Sequence, residues 1–242
     1  GSEVTPISIV TTGVAEKKGV VSPQLLPDCA VLDPDLTLGL PANVTAATGI
    51  DAMVHCIESF TSKRLKNLLA DALAREGLKL LGANLYKVCE TPKDKEARGN
   101  MLMGSMLAGM AFTNAPVAAV HALAYPLGGH FHVPHGLSNA LVLPHVLEFN
   151  MPEAEDLYAE LAPIIFPALA NKSHAEKIDG MLKGIASYSP DLGLETTLRE
   201  VGVEEKDLTM LAEDAMKQTR LLVNNPREVT YEDALAIYTK AF

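Results

Sequence analysis

The pattern of apolar and polar positions changes near residue 33, and this change divides the chain into two unequal parts. Before it, residues 4–12 and 29–32 are short runs of β-branched or apolar residues bounded by Gly, Pro and Asp. Such runs are typical of strands. Because two strands do not form a stable sheet alone, we expect them to belong to a β-rich fringe that requires partners.

Beyond residue 33 the apolar positions recur with a helical period. Asn43 is expected to cap the first helix, and Pro116 is expected to begin the fourth. Pro126, with Gly128 and Gly129, is expected to end that fourth helix. We predict helices over residues 43–60, 68–86, 95–113, 116–125 and 138–149, and further amphipathic helices in the C-terminal third.

Local signals mark the ends of the later helices. Gly193 and Gly202 are expected to stop helices, and Thr230 with Asp233 resembles a capping box for the last one. Pro144 is expected to kink the helix that contains it. The chain is therefore predicted to be mainly α, a multi-helix bundle with a small β-rich fringe at its N-terminus.

Composition and charge exclude several classes of protein. The chain has 20 Lys plus Arg against 30 Asp plus Glu, a formal net charge of -10, so its surface repels phosphate backbones and no nucleic-acid partner is expected. No apolar stretch reaches the roughly 18 to 20 residues of a membrane span, so no membrane association is expected. The three cysteines form no Cys-x-x-Cys pair, which favours a reducing, cytoplasmic location.

One helix presents a possible pair of metal ligands. Asp51 and His55 are four residues apart in the segment GIDAMVHCIE, so their side chains lie on the same helical face. A carboxylate and an imidazole presented together suit a divalent metal ion. At this spacing, however, the pair is more often a hydrogen bond or an ion pair.

A second segment, VHALAYPLGGHFHVPHG, holds four of the seven histidines. His121 lies in an apolar helical stretch, where it is either a hydrogen-bonded core residue or a ligand, and His135 stands between a proline and a glycine. His130 and His132 are more typical of a partly exposed loop. With Asp51 and His55, His121 and His135 would supply three imidazoles and one carboxylate, which suit Fe²⁺ or Zn²⁺ better than Mg²⁺ or Ca²⁺.

Several segments together resemble the iron-containing alcohol dehydrogenase family. The shared features are Asp-x-x-x-His on one helix, His-Ala-Leu-Ala, and His-Gly fourteen residues after that histidine, flanked by DPDLTLGLP, ATGIDAMVHCIES, AGMAFTNA and LLVNNP. The resemblance covers nearly the whole chain. It implies that residues 36–242 form the family's helical, dehydroquinate synthase-like C-terminal domain and that residues 1–35 are a remnant of the dinucleotide-binding domain.

The resemblance also implies an activity. By matching motifs, Asp51, His55, His121 and His135 fall on the family's Fe²⁺ or Zn²⁺ ligands. The ion would hold a small alcohol as its alkoxide, and the carbinol carbon would give hydride to NAD or NADP, with aldehyde reduction as the reverse reaction. A homodimer or a higher homo-oligomer is expected.

The N-terminal residues are the expected cofactor contacts. The opening GSEVT is similar to a family segment that lines the nicotinamide side of the cleft, which implies Ser2 and Thr5, and Lys17 falls where the family has a lysine near the ribose. No glycine-rich pyrophosphate-binding run occurs in the chain. We therefore expect the chain alone to be a fragment that holds NAD(P) weakly and is inactive.

Proton transfer is the main departure from the family pattern. Many members have a second histidine four residues after the one in the HALA segment, and here that position is Tyr125. A tyrosine with a pKa near 10 is a poor general base at neutral pH. Tyr125, His130 or water is left as the proton relay.

Two other interpretations remain open from the sequence. A zinc-dependent enzyme resembling glycerol dehydrogenase or dehydroquinate synthase shares the architecture, and bound zinc would favour it. The third interpretation is a non-catalytic helical interaction module that dimerises or binds another protein, with structural histidines. Absence of metal and a chelator without effect on melting would favour it. The sequence leaves open which alcohol is used, iron versus zinc, and NAD versus NADP.

Overall fold

The structure is a computed structural model that describes residues 1–13 and 17–242. It begins with an antiparallel hairpin of β1 (Ile7–Thr11) and β2 (Lys17–Val21), in which Ile7 pairs with Val21. Short 3₁₀ helices fill several connections. The helices of the described chain are α1 (Ala42–Thr61), α2 (Leu68–Glu90), α3 (Lys95–Asn114), α4 (Ala119–His130), α5 (His135–Ile165), α6 (His174–Asp191), α7 (Leu208–Met216), α8 (Thr219–Leu222) and α9 (Tyr231–Ala241).

Helix α1 runs through the centre of the molecule, because α2, α3 and α5 all pack against it. Its side chains Ile50, Met53 and Ile57 are at most 2% exposed, and full burial of each contributes about 1.5–3 kcal/mol. Gly77 on α2 allows the helices to approach closely, since a Cβ there would lie 2.8 Å from Cys56 Sγ. The polar side chains of α1 therefore project from a rigid, well-packed support.

The fold class predicted from the sequence is confirmed: helices dominate, and a two-stranded sheet lies at the N-terminal end. Gly193 and Gly202 have φ values of 71° and 86° where the chain leaves helical segments, as expected for helix stops. Thr230 and Asp233 form the predicted capping box at the start of α9.

The prediction of a strand over residues 29–32 is wrong. The partner of β1 is β2, whereas residues 29–32 are not in a strand and Val31 is 82% exposed. A hairpin pairs β1 with a segment close to it in the sequence, which keeps the entropy cost of closing the loop small. The apolar composition of residues 29–32 alone does not supply a strand edge to pair with.

Three predicted helix boundaries are also wrong. Helix α1 begins at Ala42 with no side-chain hydrogen bond at its N-cap, so Asn43 lies inside the first turn and is not the cap. Helix α4 begins at Ala119, after Pro116, and continues through Pro126 to His130. A proline inside a helix removes one hydrogen bond, and the burial of nearly all of α4 compensates for that loss.

Helix α5 begins three residues earlier than predicted and is far longer. It starts at His135 and continues to Ile165, with three prolines in its interior. Its buried face packs on α1, α4 and α6, and this packing outweighs the local preference of proline to end a helix. Because of the early start, His135 lies on the first turn of a helix instead of in a loop. The kink at Pro144 stays a prediction.

Among the residues that the structure describes, no single helix has the length and apolar composition needed to cross a membrane. In the described part of the chain, the pair α3 and α4 meets these criteria when taken together, and the chain bends by 107° between them.

Candidate metal centre

Four polar side chains from three helices converge at one face of α1. Asp51 and His55 lie one turn apart on α1, His121 is the third residue of α4, and His135 is the first residue of α5. One potential ligand atom of each residue lies within 4.8 Å of the corresponding atoms of the other three. The structure thus brings together all four residues that the sequence singled out as a metal site.

The spacing of the ligand atoms suits one ion. His121 Nε2 lies 3.0 Å from His55 Nε2 and 3.6 Å from Asp51 Oδ1. His135 Nε2 lies 3.6 Å and His55 Nε2 4.0 Å from the same carboxylate oxygen. Ligand atoms that share one ion through bonds of about 2.1 Å are separated by about 3–4.2 Å, so these pairs fit a single divalent cation.

Asn139, one turn after His135 on α5, lies fully buried at the centre of this cluster. Its Nδ2 donates to Asp51 Oδ1 at 2.6 Å and lies 3.3 Å from His135 Nε2 and 3.5 Å from His121 Nε2. Its Oδ1 is buried and has no hydrogen-bond partner among the described residues. The Asn139 amide thus lies among one carboxylate oxygen and two imidazole nitrogens, which are atom types that bind a divalent transition-metal ion.

Glu58 lies two turns after Asp51 on α1 and contacts His121 at Nδ1, the ring nitrogen that does not face the other candidate ligands. Its side chain is 5% exposed, and its Oε2 lies 2.7 Å from His121 Nδ1. Its Oε1 accepts a hydrogen bond of 2.6 Å from the backbone N–H of Val120. A buried carboxylate requires such partners, and here they tie α1 to the first turn of α4.

The charges of the cluster are coupled. Burial would raise the pKa of Asp51, yet the surrounding histidines, His55 foremost, hold that pKa well below its usual range. Burial lowers the pKa of His55. Burial also opposes protonation of His121, but the nearby carboxylates of Asp51 and Glu58 outweigh it and raise the pKa of His121. The Asp51 carboxylate therefore stays ionised, and the negative charge beside His121 favours a positive charge there.

An apolar cavity of about 380 Å³ opens beside the histidines. His55, His121 and His135 line one part of it, and the ring of Phe112 stacks on His55 with 4.6 Å between centroids. A cavity of this size and character suits a small organic molecule that is mostly apolar. Its apolar walls include Ile7, Ile9, Val21, Phe112, Val117 and Leu221.

Of the two candidate proton-relay residues, one reaches this cavity. Tyr125 lines it, with its ring centroid 6.0 Å from that of His135, and burial raises its pKa, so at neutral pH its hydroxyl is a donor and not a base. His130 lies at the other end of α4, nine residues or roughly 13 Å beyond His121. It pairs with Asp214 of α7, and the structure does not bring it to the cluster.

The candidate cofactor residues lie on a second side of the cluster. Ser2 and Thr5 line another cavity, of about 480 Å³, together with Asp51, His55 and His135. The side chain of Lys17, at the start of β2, lies outside the described part of the structure. The roles of Ser2, Thr5 and Lys17 stay predictions.

Two residues at the centre escaped the sequence interpretation, Glu58 and Asn139. Glu58 follows Asp51 by seven residues and Asn139 follows His135 by four, so each lies on the same helical face as a candidate ligand. These spacings are the signal in the sequence that could have identified Glu58 and Asn139. Apart from His135, their contacts in the cluster lie on other helices, and only the packing of α1, α4 and α5 identifies those contacts.

The fold and the set of candidate ligands together define a class of protein. It is a helical domain with a candidate metal centre of three histidines and one aspartate beside an apolar cavity. The chain belongs to the Fe-containing alcohol dehydrogenase family, whose C-terminal sequence model matches residues 45–242. It is 41% identical to long-chain-alcohol dehydrogenase 1 of Geobacillus thermodenitrificans and 37% identical to 1,3-propanediol dehydrogenase of Klebsiella pneumoniae. Both matches cover all of this chain and 61% and 62% of the relatives.

A solved structure agrees with this assignment. The alcohol dehydrogenase from Oenococcus oeni superposes with a TM-score of 0.93 at 34% identity, over 100% of this chain and 63% of that one. The chain therefore spans about three fifths of the length of the relatives that it matches.

Proposed function

We propose that this chain forms the metal-binding side of a metal-dependent, NAD(P)-linked alcohol dehydrogenase or aldehyde reductase. The observation that carries the proposal is the position of His55, His121 and His135 in the wall of the apolar cavity, with Asp51 beside them. A metal centre there would adjoin the space for an alcohol or aldehyde. Relatives named for long-chain alcohols and 1,3-propanediol support a primary alcohol as the substrate class.

The donor set favours a transition metal. Three imidazole nitrogens and one carboxylate oxygen suit Fe²⁺ or Zn²⁺, whereas Mg²⁺ and Ca²⁺ prefer oxygen ligands throughout. Bound there, Fe²⁺ or Zn²⁺ would supply Lewis acidity toward an alcohol or carbonyl oxygen, and NAD or NADP would carry the hydride.

The residues around the centre have distinct tasks in this proposal. Asp51 and the three histidines hold the ion, and Phe112 and Val117 keep water away from the reacting carbon. Tyr125, protonated at neutral pH, donates a hydrogen bond toward the substrate side of the cavity. Ser2 and Thr5 line the second cavity, and in this proposal they would contact the nicotinamide cofactor.

Cobalt substitution tests the proposal without a need for cofactor or turnover. The chain loaded with Co²⁺ is expected to bind about one equivalent and to give the intense visible absorption of a low-coordinate site. Addition of 1,3-propanediol, 1-hexanol or hexanal is expected to change that absorption, because the molecule enters the cavity beside the ion. Propane and hexane, which lack an oxygen ligand, serve as matched controls.

Two results would contradict the proposal. If the chain binds no metal over the whole range from pH 6 to 9, the histidines are structural and the chain is a non-catalytic helical module. A stoichiometric Co²⁺ spectrum that no alcohol or aldehyde changes would mean that the ion is enclosed and only stabilises the fold.

A further inference from the structure

The hydrogen bonds of Glu58 leave its carboxylate no freedom of orientation. Oε1 accepts from the N–H of Val120 at 2.6 Å, and Oε2 lies 2.7 Å from Nδ1 of His121. Val120 is in the first turn of α4, where backbone N–H groups lack a partner within the helix and the helix dipole favours negative charge. Glu58 is 4% exposed, so these two donors satisfy a carboxylate that water does not reach.

The contact with Glu58 decides which nitrogen of His121 carries a proton. An ionised carboxylate only accepts hydrogen bonds, so Nδ1 of His121 must be the donor. In the neutral imidazole the other nitrogen, Nε2, then bears the lone pair. That nitrogen is the one that lies 3.0 Å from His55 Nε2 and 3.6 Å from Asp51 Oδ1.

We propose that Glu58 is a positioning residue that fixes the tautomer and the ring orientation of His121, so that Nε2 presents its lone pair to the metal ion. This inference rests on the proposed function, because it assigns Glu58 a task only in a centre that holds metal. Carboxylates behind metal-binding histidines generally orient the ring and increase its basicity. Here the backbone of the residue before the ligand fixes the carboxylate as well, so α1 and α4 hold the ring between them.

The substitution Glu58→Gln separates this role from simple packing. Gln has nearly the same shape, and its Oε1 is needed by the N–H of Val120, so its amide NH₂ must face Nδ1 of His121. The NH₂ group is a donor and forces Nδ1 to accept, which moves the imidazole proton to Nε2. His121 then presents an N–H to the ion. We expect Zn²⁺ or Co²⁺ affinity to fall about 10- to 100-fold.

Glu148→Gln is the matched control. Glu148 is 56% exposed and pairs with Lys240 on the surface, so the same chemical change there is expected to leave metal affinity unchanged. Glu58→Asp keeps an acceptor-only carboxylate on a shorter side chain. Its affinity is expected to lie between those of the wild-type chain and Glu58→Gln, a partial rescue that a packing role would not produce because Asp fills the site less well than Gln.

Nitrogen NMR of the Zn²⁺-loaded chain, with ¹⁵N-labelled histidine, reads the tautomer directly. In the wild-type chain we expect His121 to carry its proton on Nδ1, and in Glu58→Gln this signature is expected to disappear. Wild-type affinity in Glu58→Gln, or a wild-type His121 that carries its proton on Nε2, would overturn the inference while leaving the metal centre intact. A wild-type chain that binds no ion would overturn the proposed function, and this inference with it.

Discussion

Replacement of His121 by alanine is expected to abolish stoichiometric metal binding. Its Nε2 lies within 3.6 Å of both His55 Nε2 and Asp51 Oδ1, so the change removes a donor atom that is close to two of the other three candidate ligands. The variant is expected to hold less than a tenth of an equivalent of iron or zinc after dialysis, against about one in the wild-type chain. Elemental analysis of the purified proteins provides the measurement.

The same substitution should also lower stability. Without His121, the buried carboxylate of Glu58 loses one of the two partners described for it, and removal of a hydrogen-bond partner from a buried group costs about 1–3 kcal/mol. His174→Ala is the control, since His174 is exposed and pairs with Glu155 and Asp156 on the surface. Retention of a full equivalent of metal in a folded His121→Ala protein would exclude His121 as a ligand.

Substitution of Gly136 by alanine is expected to lower the free energy of unfolding by about 2 kcal/mol. A Cβ at Gly136 would lie 2.5 Å from the carbonyl oxygen and 2.7 Å from the carbonyl carbon of Ala47. Both atoms belong to the backbone of α1, so the first turn of α5 must move. His135 lies on that turn, and its movement away from Asp51 is expected to weaken metal affinity at least tenfold.

Gly99→Ala is the matched control for this change. Gly99 lies inside α3, and a Cβ there would meet nothing within 4 Å. Because alanine favours the helix more than glycine does, this variant is expected to gain about 0.5–1 kcal/mol. Urea unfolding of the wild-type chain, Gly136→Ala and Gly99→Ala gives the free energy of unfolding of each protein. A Zn²⁺ titration of each gives the metal affinity. Equal stability and affinity in Gly136→Ala and the wild-type chain would mean that α1 and α5 are not in the contact described.

The helical class and the ligand candidates followed from local patterns. Asp51 and His55 share a helical face by their spacing alone, and His121 is unusual in an apolar helix. The meeting of these residues with His135 did not follow from any local pattern, because it depends on α4 and α5 packing on the same face of α1. The family resemblance supplied that information before the structure did.

The errors about where α4 and α5 end have a common physical origin in burial. Pro126 and the three prolines of α5 are strong local signals for helix ends, but both helices continue because their faces are buried in the core. The apolar residues 29–32 have the composition of a strand, but no strand among the described residues pairs with them. The role of Glu58 was missed for a related reason, since its partners lie 62 and 63 residues away in the sequence.

The most direct test of the metal centre is anomalous diffraction from crystals of the chain grown with Zn²⁺ and measured on both sides of the zinc absorption edge. We expect one strong anomalous peak within about 2.0–2.2 Å of Asp51 Oδ1 and of Nε2 of His55, His121 and His135. A structure with these four side chains ordered and no peak among them, or with zinc bound only elsewhere, would contradict it.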